Sequence, residues 1–266
     1  MAAGWCVEFV ESTRRDENWR AVIFGLISIG SWLMSIQAKA GPPFRTDDPE
    51  PVAYGHFEFY TFSEGTRTRD QAAGALPGGE INYGLIPNGQ LTIGGEAAFY
   101  GSGAGDSHFG AGDTSVSFKY RFVDETLFSP QISIYPEIDF PTGSRTRDLG
   151  AGHVRIFLPV WVQKSFGEWT TYGGGGYSIH EDEKLGDKNN WFFGWLLERK
   201  ITNDLTLGGE IFHQTADNVL SEDETGFNLG GTYDFDEHNH LNASLGRDLQ
   251  GSPSRFDWYL GWEVTY

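Results

Sequence analysis

Apolar and polar residues alternate at the C-terminal end of the chain. Every second position carries an apolar or aromatic side chain, namely Phe256, Trp258, Leu260, Trp262, Val264 and Tyr266. A period of two places these side chains on one face of an extended strand. The ends of soluble domains usually fray, so a terminal strand with two Trp on one face is typical of a strand that contacts lipid.

Earlier segments repeat this alternation. They lie at 55–64, 79–86, 90–100, 114–123, 130–141, 153–165, 169–180, 191–201, 205–215, 225–235 and 240–249. Alternating segments of about ten residues are typical of transmembrane β-strands, and single-chain bacterial barrels have an even number of them. With the C-terminal segment, the pattern predicts an all-β, up-and-down antiparallel transmembrane β-barrel of about twelve strands over residues 55–266.

The connections between these segments alternate in predicted length. The long ones lie at 65–78, 101–113, 142–152, 181–190 and 216–224. Short turns at one end and long loops at the other are the outer-membrane arrangement, which predicts a bacterial outer-membrane location with both termini in the periplasm. A soluble calyx also alternates, but here the repeated face carries Phe, Trp, Ile and Leu, and soluble monomers do not expose so large an apolar belt.

An uncharged apolar run precedes the barrel, at residues 21–36. It is short for a membrane-spanning helix, which needs about 20 residues. Arginines precede it and an A-x-A sequence at 38–40 follows it, as in a secretory signal peptide. We predict a signal peptide over residues 1–40, with an over-long or misassigned start. An uncleaved anchor helix is the alternative.

Residues 41–54 contain four prolines and show no periodicity. They are predicted to form a periplasmic leader, either free or lying against the barrel mouth. The only cysteine, Cys6, lies upstream of the predicted cleavage site, so the mature chain has no disulfide.

The polar face of the strands would line the barrel lumen. Its charged residues are Glu58, Glu80, Glu96, Lys119, Arg121, Glu137, Asp139, Arg155, Glu198, Lys200, Glu210, Asp234, Asp257 and Glu263. Acids outnumber bases ten to four in this set. We predict a narrow, partly occluded lumen with salt bridges across it. The charges either brace the barrel or form a constriction that favours cations and neutral solutes over anions.

One short sequence occurs twice. Leu91–Glu96 reads LTIGGE and Leu205–Glu210 reads LTLGGE. Both copies place a Glu on the predicted lumen face. Descent from a repeated hairpin and convergence of two strands both account for this likeness.

The sequence indicates no enzyme. The net charge of −18 argues against nucleic-acid binding, which needs a basic surface. None of the seven histidines stands two residues before a serine, as it does in the twelve-stranded outer-membrane phospholipase. His238 and His240 flank Asn239 beside a turn, where solvent exposure is expected and not a metal. We therefore predict no catalytic residue, no metal and no cofactor.

The C-terminal strand resembles the assembly signal of bacterial outer-membrane barrels. The residues that carry the resemblance are Trp258, Leu260, Trp262, Val264 and Tyr266. The resemblance implies that the outer-membrane assembly machinery is a partner. The other expected partners are outer-membrane lipids, lipopolysaccharide and small-molecule solutes.

Several strings in order resemble one protein family. They are Gly41–Pro51 with Gly55–Glu58, Glu80–Leu85 with Pro87–Asn88, Phe140–Gly143, Gly174–Tyr177, and Gly208–Glu210 with His213–Gln214. Together they resemble the outer-membrane β-barrel family catalogued as "Putative MetA-pathway of phenol degradation". The resemblance covers residues 41–266 and implies transport of aromatic or other small hydrophobic compounds, without catalytic residues.

These features predict an outer-membrane channel for passive uptake of small organic solutes, aromatic or hydrophobic ones among them. A structural or surface-interaction barrel without transport is the alternative. A lipid-modifying enzyme barrel is a further one.

Overall fold

The computed structural model describes residues 42–180, 186, 188–250 and 255–266 of the protein. The predicted signal peptide, residues 1–40, lies outside the described residues. The strands are β1 (Phe57–Arg67), β2 (Gln71–Ile86), β3 (Gly89–Ser102), β4 (Ser107–Val123), β5 (Gln131–Ile134), β6 (Glu137–Phe140), β7 (Arg155–Phe166), β8 (Trp169–His180), β9 (Asn190–Lys200), β10 (Leu205–Gln214), β11 (Glu224–Asp234), β12 (Asn239–Gln250) and β13 (Phe256–Thr265). Among the described residues, no helix is long and apolar enough to cross a membrane.

The strands form a closed antiparallel barrel. The pairing follows sequence order, and β1 pairs with β13 from Glu58 opposite Thr265 to Arg67 opposite Phe256. β5 and β6 each pair with β4 on one side and with β7 on the other. They are therefore two halves of one strand, and the barrel has twelve strands. The predicted fold class is confirmed.

The strand predicted over 130–141 is interrupted at Tyr135 and Pro136. Proline has no backbone N–H and cannot donate to a sheet ladder, so the strand breaks there. The alternation of side chains did not reveal this break, because apolar residues continue on both sides of it.

Three strands are longer than the sequence pattern predicted. β2, β3 and β4 have 16, 14 and 17 residues, and the connections predicted at 65–78 and 101–113 are wrong. Residues 68–70 join β1 to β2, and residues 103–106 join β3 to β4. The pattern missed these strand ends because they are rich in Gly and Ala, which give no apolar period. About 9–11 residues suffice to cross a bilayer, so this side of the barrel extends beyond the apolar band.

The barrel has two distinct ends. The C-terminal rim contains the short turns 87–88, 124–130, 167–168, 201–204 and 235–238, together with Tyr266. The opposite end, here called the loop rim, contains the connections 68–70, 103–106, 141–154 and 215–223.

The outer face of the barrel is apolar. Ile93, Trp195, Leu229 and Leu260 are each more than half exposed, although they lie within paired strands. Facing water, such a belt would be unfavourable, whereas in lipid it is the expected surface of a transmembrane barrel. The inner face alternates with it and carries buried polar and aromatic side chains.

The segment before β1 lies inside the barrel. Residues 44–47 are buried, and Thr46 is 0% exposed. Residues 43–52 contact inward-facing side chains of β3, β4 and β10. These strands lie on different sides of the barrel, so the segment, here called the plug, crosses the lumen. The prediction of a leader outside the barrel is wrong for these residues, because their charges pair with charges of the barrel wall.

The connection 141–154 folds inward at the loop rim. Leu149 is 1% exposed and packs against Tyr100 on the inner face of β3. The Asp113 carboxylate accepts a hydrogen bond from the backbone N–H of Gly143, at 2.9 Å. The loop therefore narrows the opening at this rim.

Deletion of Tyr266 is predicted to impair barrel assembly. Phe57 and Tyr266 exchange two backbone hydrogen bonds of 2.8 Å, and the Tyr266 ring stacks on His238 with 5.6 Å between ring centroids. The deletion removes both hydrogen bonds, each worth about 1 kcal/mol, and the terminal aromatic ring. The heat-modifiable fraction on electrophoresis should fall, while Tyr266→Phe, which keeps the backbone and the ring, should assemble normally. A wild-type heat-modifiable fraction after the deletion would contradict this role.

Candidate functional site

The Glu210 side chain binds the backbone of the plug. The two carboxylate oxygens of Glu210 accept hydrogen bonds from the backbone N–H of Arg45 and of Thr46, both at 2.8 Å. Glu210 lies on the inner face of β10 and is 3% exposed. Hydrogen bonds to a carboxylate are stronger than those between neutral groups, so one side chain fixes two consecutive plug residues.

The Arg45 side chain extends from this point toward the loop rim. Its Nη1 lies 2.6 Å from Glu224 Oε1, and its Nη2 donates to Gln214 Oε1 at 2.7 Å. The guanidinium group also lies over the ring of Phe212, 4.1 Å from the centroid, and 5.3 Å from that of Phe192. Charge-assisted hydrogen bonds and cation–π contacts thus act on one buried group.

Arg45 joins a cluster of three acids at this level. Carboxylate oxygens of Glu224, Asp248 and Asp257 lie within 4.8 Å of one another. Arg255 donates to Glu224 and, at 3.0 Å, to Asp257. Because two arginines neutralise most of the three negative charges, the cluster is an ion-pair network that ties the plug to β11, β12 and β13.

The next part of the plug pairs with β4. Lys119 Nζ lies 3.1 Å from Asp47 Oδ1 and 3.7 Å from Asp48. It also lies 4.8 Å from the centroid of the Tyr135 ring. Burial raises the pKa of the Asp47 carboxyl to about 7, because desolvation outweighs the attraction of Lys119.

The plug leaves the lumen toward the C-terminal rim. Arg121 Nη1 lies 2.9 Å from Glu50 Oε1, and Gln131 donates to Glu50 Oε2 at 3.0 Å. The backbone N–H of Val52 donates to Gln90 Oε1 at 2.9 Å. The plug is therefore attached along its whole length by polar groups of the wall.

One plug residue has an apolar partner site. Phe44 is 4% exposed and clusters with Tyr172 of β8 and Leu196 of β9. Gly208 of β10 lies beside them, and a Cβ at this position would be 3.3 Å from Phe44 Cζ. We call Tyr172, Leu196 and Gly208 the Phe44 seat.

The structure brings three of the predicted lumen residues, Lys119, Arg121 and Glu210, into contact with the plug. Two others form pairs elsewhere. Asp139 lies 2.9 Å from Arg155 within the wall, and Asp234 lies 2.7 Å from the ring of His240 near the C-terminal rim. His240 is thus partly covered and not solvent exposed as predicted.

Asp257 belongs to the acid cluster, and the other predicted residues lie apart from these contacts. Glu58, Glu80 and Glu263 surround Tyr60, which pairs with the latter two across β2 and β13. Glu96 packs over Gly112, and Lys200 is exposed at the C-terminal rim.

Sequence reasoning misses the plug residues and most of the acid cluster, of which it assigns only Asp257 to the lumen. The sequence pattern places Arg45, Asp47 and Glu50 in a leader, and it does not assign Glu224 and Arg255 to the lumen. The sequence contains one signal for the plug, namely its mixture of positive and negative charges. A leader that stays in solvent does not need charges that match those of the barrel wall.

A cavity remains between the plug and the loop rim. Its empty volume is about 420 Å³, including the part that opens to solvent. Phe157 and Phe192 line it together with Glu137, Arg155 and His180. Phe192 also contacts Arg45, so the cavity lies next to the plug.

The barrel is similar to solved outer-membrane proteins. The COG4313 outer membrane channel from Pseudomonas putida F1 has a TM-score of 0.68 and 16% identity, over 82% of this chain and 98% of that one. The KdgM porin in complex with disordered oligogalacturonate has a TM-score of 0.53 and 8% identity, over 78% and 99%. The translocator domain of autotransporter NalP from Neisseria meningitidis has a TM-score of 0.53 and 10% identity, over 94% and 95%. At these identities the likeness shows the fold alone.

No curated protein sequence matches the chain. A family match, in contrast, covers residues 44–263, from the plug to the last strand, and confirms the resemblance found in the sequence. The chain therefore belongs to the family described as "Putative MetA-pathway of phenol degradation".

Proposed function

We propose that this protein is an outer-membrane channel for the passive uptake of small organic solutes, aromatic compounds among them, and that the plug is its gate. One observation carries the proposal: the lumen of a closed lipid-facing barrel is filled by a segment that is attached through hydrogen bonds and ion pairs. This segment belongs to no strand, so it can leave the lumen without breaking the barrel ladder, whereas side chains of the wall cannot leave.

The family description and the neighbouring structures support the solute class and the channel function. The family is described by phenol degradation. Two of the similar structures are an outer membrane channel and a porin in complex with disordered oligogalacturonate.

In the proposed orientation, the short turns and both chain ends lie in the periplasm, and the loop rim faces outward. In this orientation the plug enters the lumen from the periplasmic side. Lipid and lipopolysaccharide surround the apolar face, and the terminal residues Trp258, Leu260, Trp262, Val264 and Tyr266 are the signal for the assembly machinery. No catalytic step is part of the proposal.

A structural or surface-interaction barrel without transport is the second candidate. The buried plug favours it, because a permanently filled lumen would brace the barrel and leave only its loops to act. Permeability separates the two candidates.

Liposome swelling tests the proposed function. Liposomes that contain the purified protein should swell in phenol faster than protein-free liposomes, after subtraction of the passive permeability of the lipid. An unfolded, heat-treated sample of the same protein is the control for leakage. Absence of any protein-dependent permeability to phenol and to other small solutes would support the structural barrel.

The substitution Arg45→Ala is predicted to increase the open fraction of the channel. It removes two charge-assisted hydrogen bonds, each worth about 1.5–3 kcal/mol, and the contact with Phe212. Glu224 keeps Arg255 as a partner, so the wall remains braced. Since about 1.4 kcal/mol is a factor of ten, conductance in planar bilayers should rise at least about tenfold.

The control for this substitution is Arg199→Ala. The Arg199 guanidinium lies 5.1 Å from the ring of Trp169 on the outer face, so its loss should leave conductance unchanged. Equal conductance of Arg45→Ala and wild type would contradict the gating role of the plug.

The open channel is predicted to prefer cations over anions. Glu58, Glu80 and Glu263 form an acidic region around Tyr60. The reversal potential under a salt gradient should indicate cation preference, which Glu58→Gln combined with Glu263→Gln should reduce. Glu237→Gln, in a turn where this side chain is 87% exposed, is the control. Clear anion preference of the wild type would contradict the prediction.

A further inference from the structure

The inner face of β9 connects the cavity near the loop rim to the Phe44 seat. Its inward residues, in order, are Phe192, Gly194, Leu196 and Glu198, and successive ones are about 7 Å apart along a strand. Phe192 lines the cavity and Leu196 belongs to the seat. The plug crosses this row at Gly194, where any Cβ would overlap Thr46 Oγ1. The row is a continuous path that the plug interrupts.

The Phe44 seat is shaped for a single aromatic ring. Tyr172 and Leu196 lie opposite each other on β8 and β9, and Leu196 is 0% exposed beneath the ring of Phe44. Gly208 provides the third side, and any side chain there would crowd the ring. If the plug leaves, this apolar surface is exposed to the lumen. A ring that covers it again removes apolar area from water, which is favourable.

A carboxylate stands beside the seat. Glu198 pairs with Gly208 across β9 and β10, and a Cβ on Gly208 would lie 2.9 Å from Glu198 Cβ. Among the described residues, Glu198 forms no hydrogen bond or ion pair with a side chain. It is half-buried on the inner face, so its carboxylate can accept a hydrogen bond from a group in the lumen. The seat thus offers an apolar floor and a hydrogen-bond acceptor, of which Phe44 uses only the floor.

We propose that the Phe44 seat is the binding site for the ring of the transported solute, that Glu198 accepts a hydrogen bond from an O–H group on that ring, and that solute and Phe44 compete for the seat. The proposal rests on the proposed channel function. The chemistry selects neutral hydroxylated monocyclic aromatic compounds. A ring that carries a carboxylate is rejected, because Glu198 and the neighbouring Glu210 repel it.

Competition links solute binding to gating. A ligand that binds only the vacated seat shifts the equilibrium toward the displaced plug by the factor 1 + [L]/Kd. The solute thereby opens the path along β9 that leads to the C-terminal rim. Opening requires no other effector.

A cysteine in the plug reports this competition. Thr46→Cys in a Cys6→Ser background leaves one thiol, since the chain has no other cysteine. Thr46 Oγ1 is buried and makes no hydrogen bond within the described residues, so the exchange is mild. The rate at which a membrane-impermeant maleimide modifies the introduced thiol in the folded, reconstituted Thr46→Cys protein measures how often the plug leaves the wall.

Phenol should accelerate this modification by about tenfold at ten times its Kd. Benzoate, which has the same ring and a negative charge, should not accelerate it. Glu198→Gln keeps an acceptor and removes the charge, so it should reduce the difference between phenol and benzoate. Phe44→Ala removes the competitor and should lower the half-effective phenol concentration, whereas Phe128→Ala, in a turn where this side chain is 95% exposed, should not.

Three results decide the proposal. Phenol-permeable liposomes with an unchanged modification rate would overturn the shared seat and leave the channel function standing. Equal acceleration by phenol and benzoate in the wild type would also overturn it. Phenol-dependent modification in liposomes that phenol does not cross through the protein would support the seat and overturn the uptake function.

Discussion

Closure of the barrel between β1 and β13 is the constraint on which the rest of the structure depends. Backbone N–H and C=O groups in lipid must be paired within the protein, and only a closed barrel pairs them all when strands cross a membrane. Closure divides every strand into a lipid face and a lumen face. It also forces the polar face of twelve strands to surround one narrow space, where each charged group needs water or a partner.

The plug satisfies many of these charged groups. Its residues alternate in chemistry, from Phe44 to Arg45 to Asp47, and each meets a complementary surface of the wall. Broken one at a time, such buried pairs are costly, since each leaves an unpaired charge. Gating by a segment of this kind is favourable only if something replaces the lost contacts, and the apolar and acidic surroundings of the Phe44 seat point to a solute that does so.

The local sequence predicts strands correctly where apolar and polar side chains alternate strongly, and it predicts them poorly elsewhere. β4 and β13 were recognised because large apolar residues mark one face. The ends of β2 and β4 were missed because Gly and Ala carry no such signal, although the hydrogen-bond ladder continues through them.

The duplicated LTIGGE and LTLGGE sequences show the same limit. Glu96 packs over Gly112, while Glu210 binds the plug, and nothing in the two copies distinguishes these roles.

The architecture follows from residue order alone, because the period of two, the even number of segments and the apolar face are all visible in it. The polar face of the strands also predicted a charged lumen rich in acid. The positions of residues 43–52 in the lumen, of loop 141–154 at the rim and of Glu198 beside an apolar seat are visible only in the folded chain. These features depend on contacts between residues far apart in the chain, such as Arg45 with Glu224, and no local pattern encodes which distant charge a residue will meet.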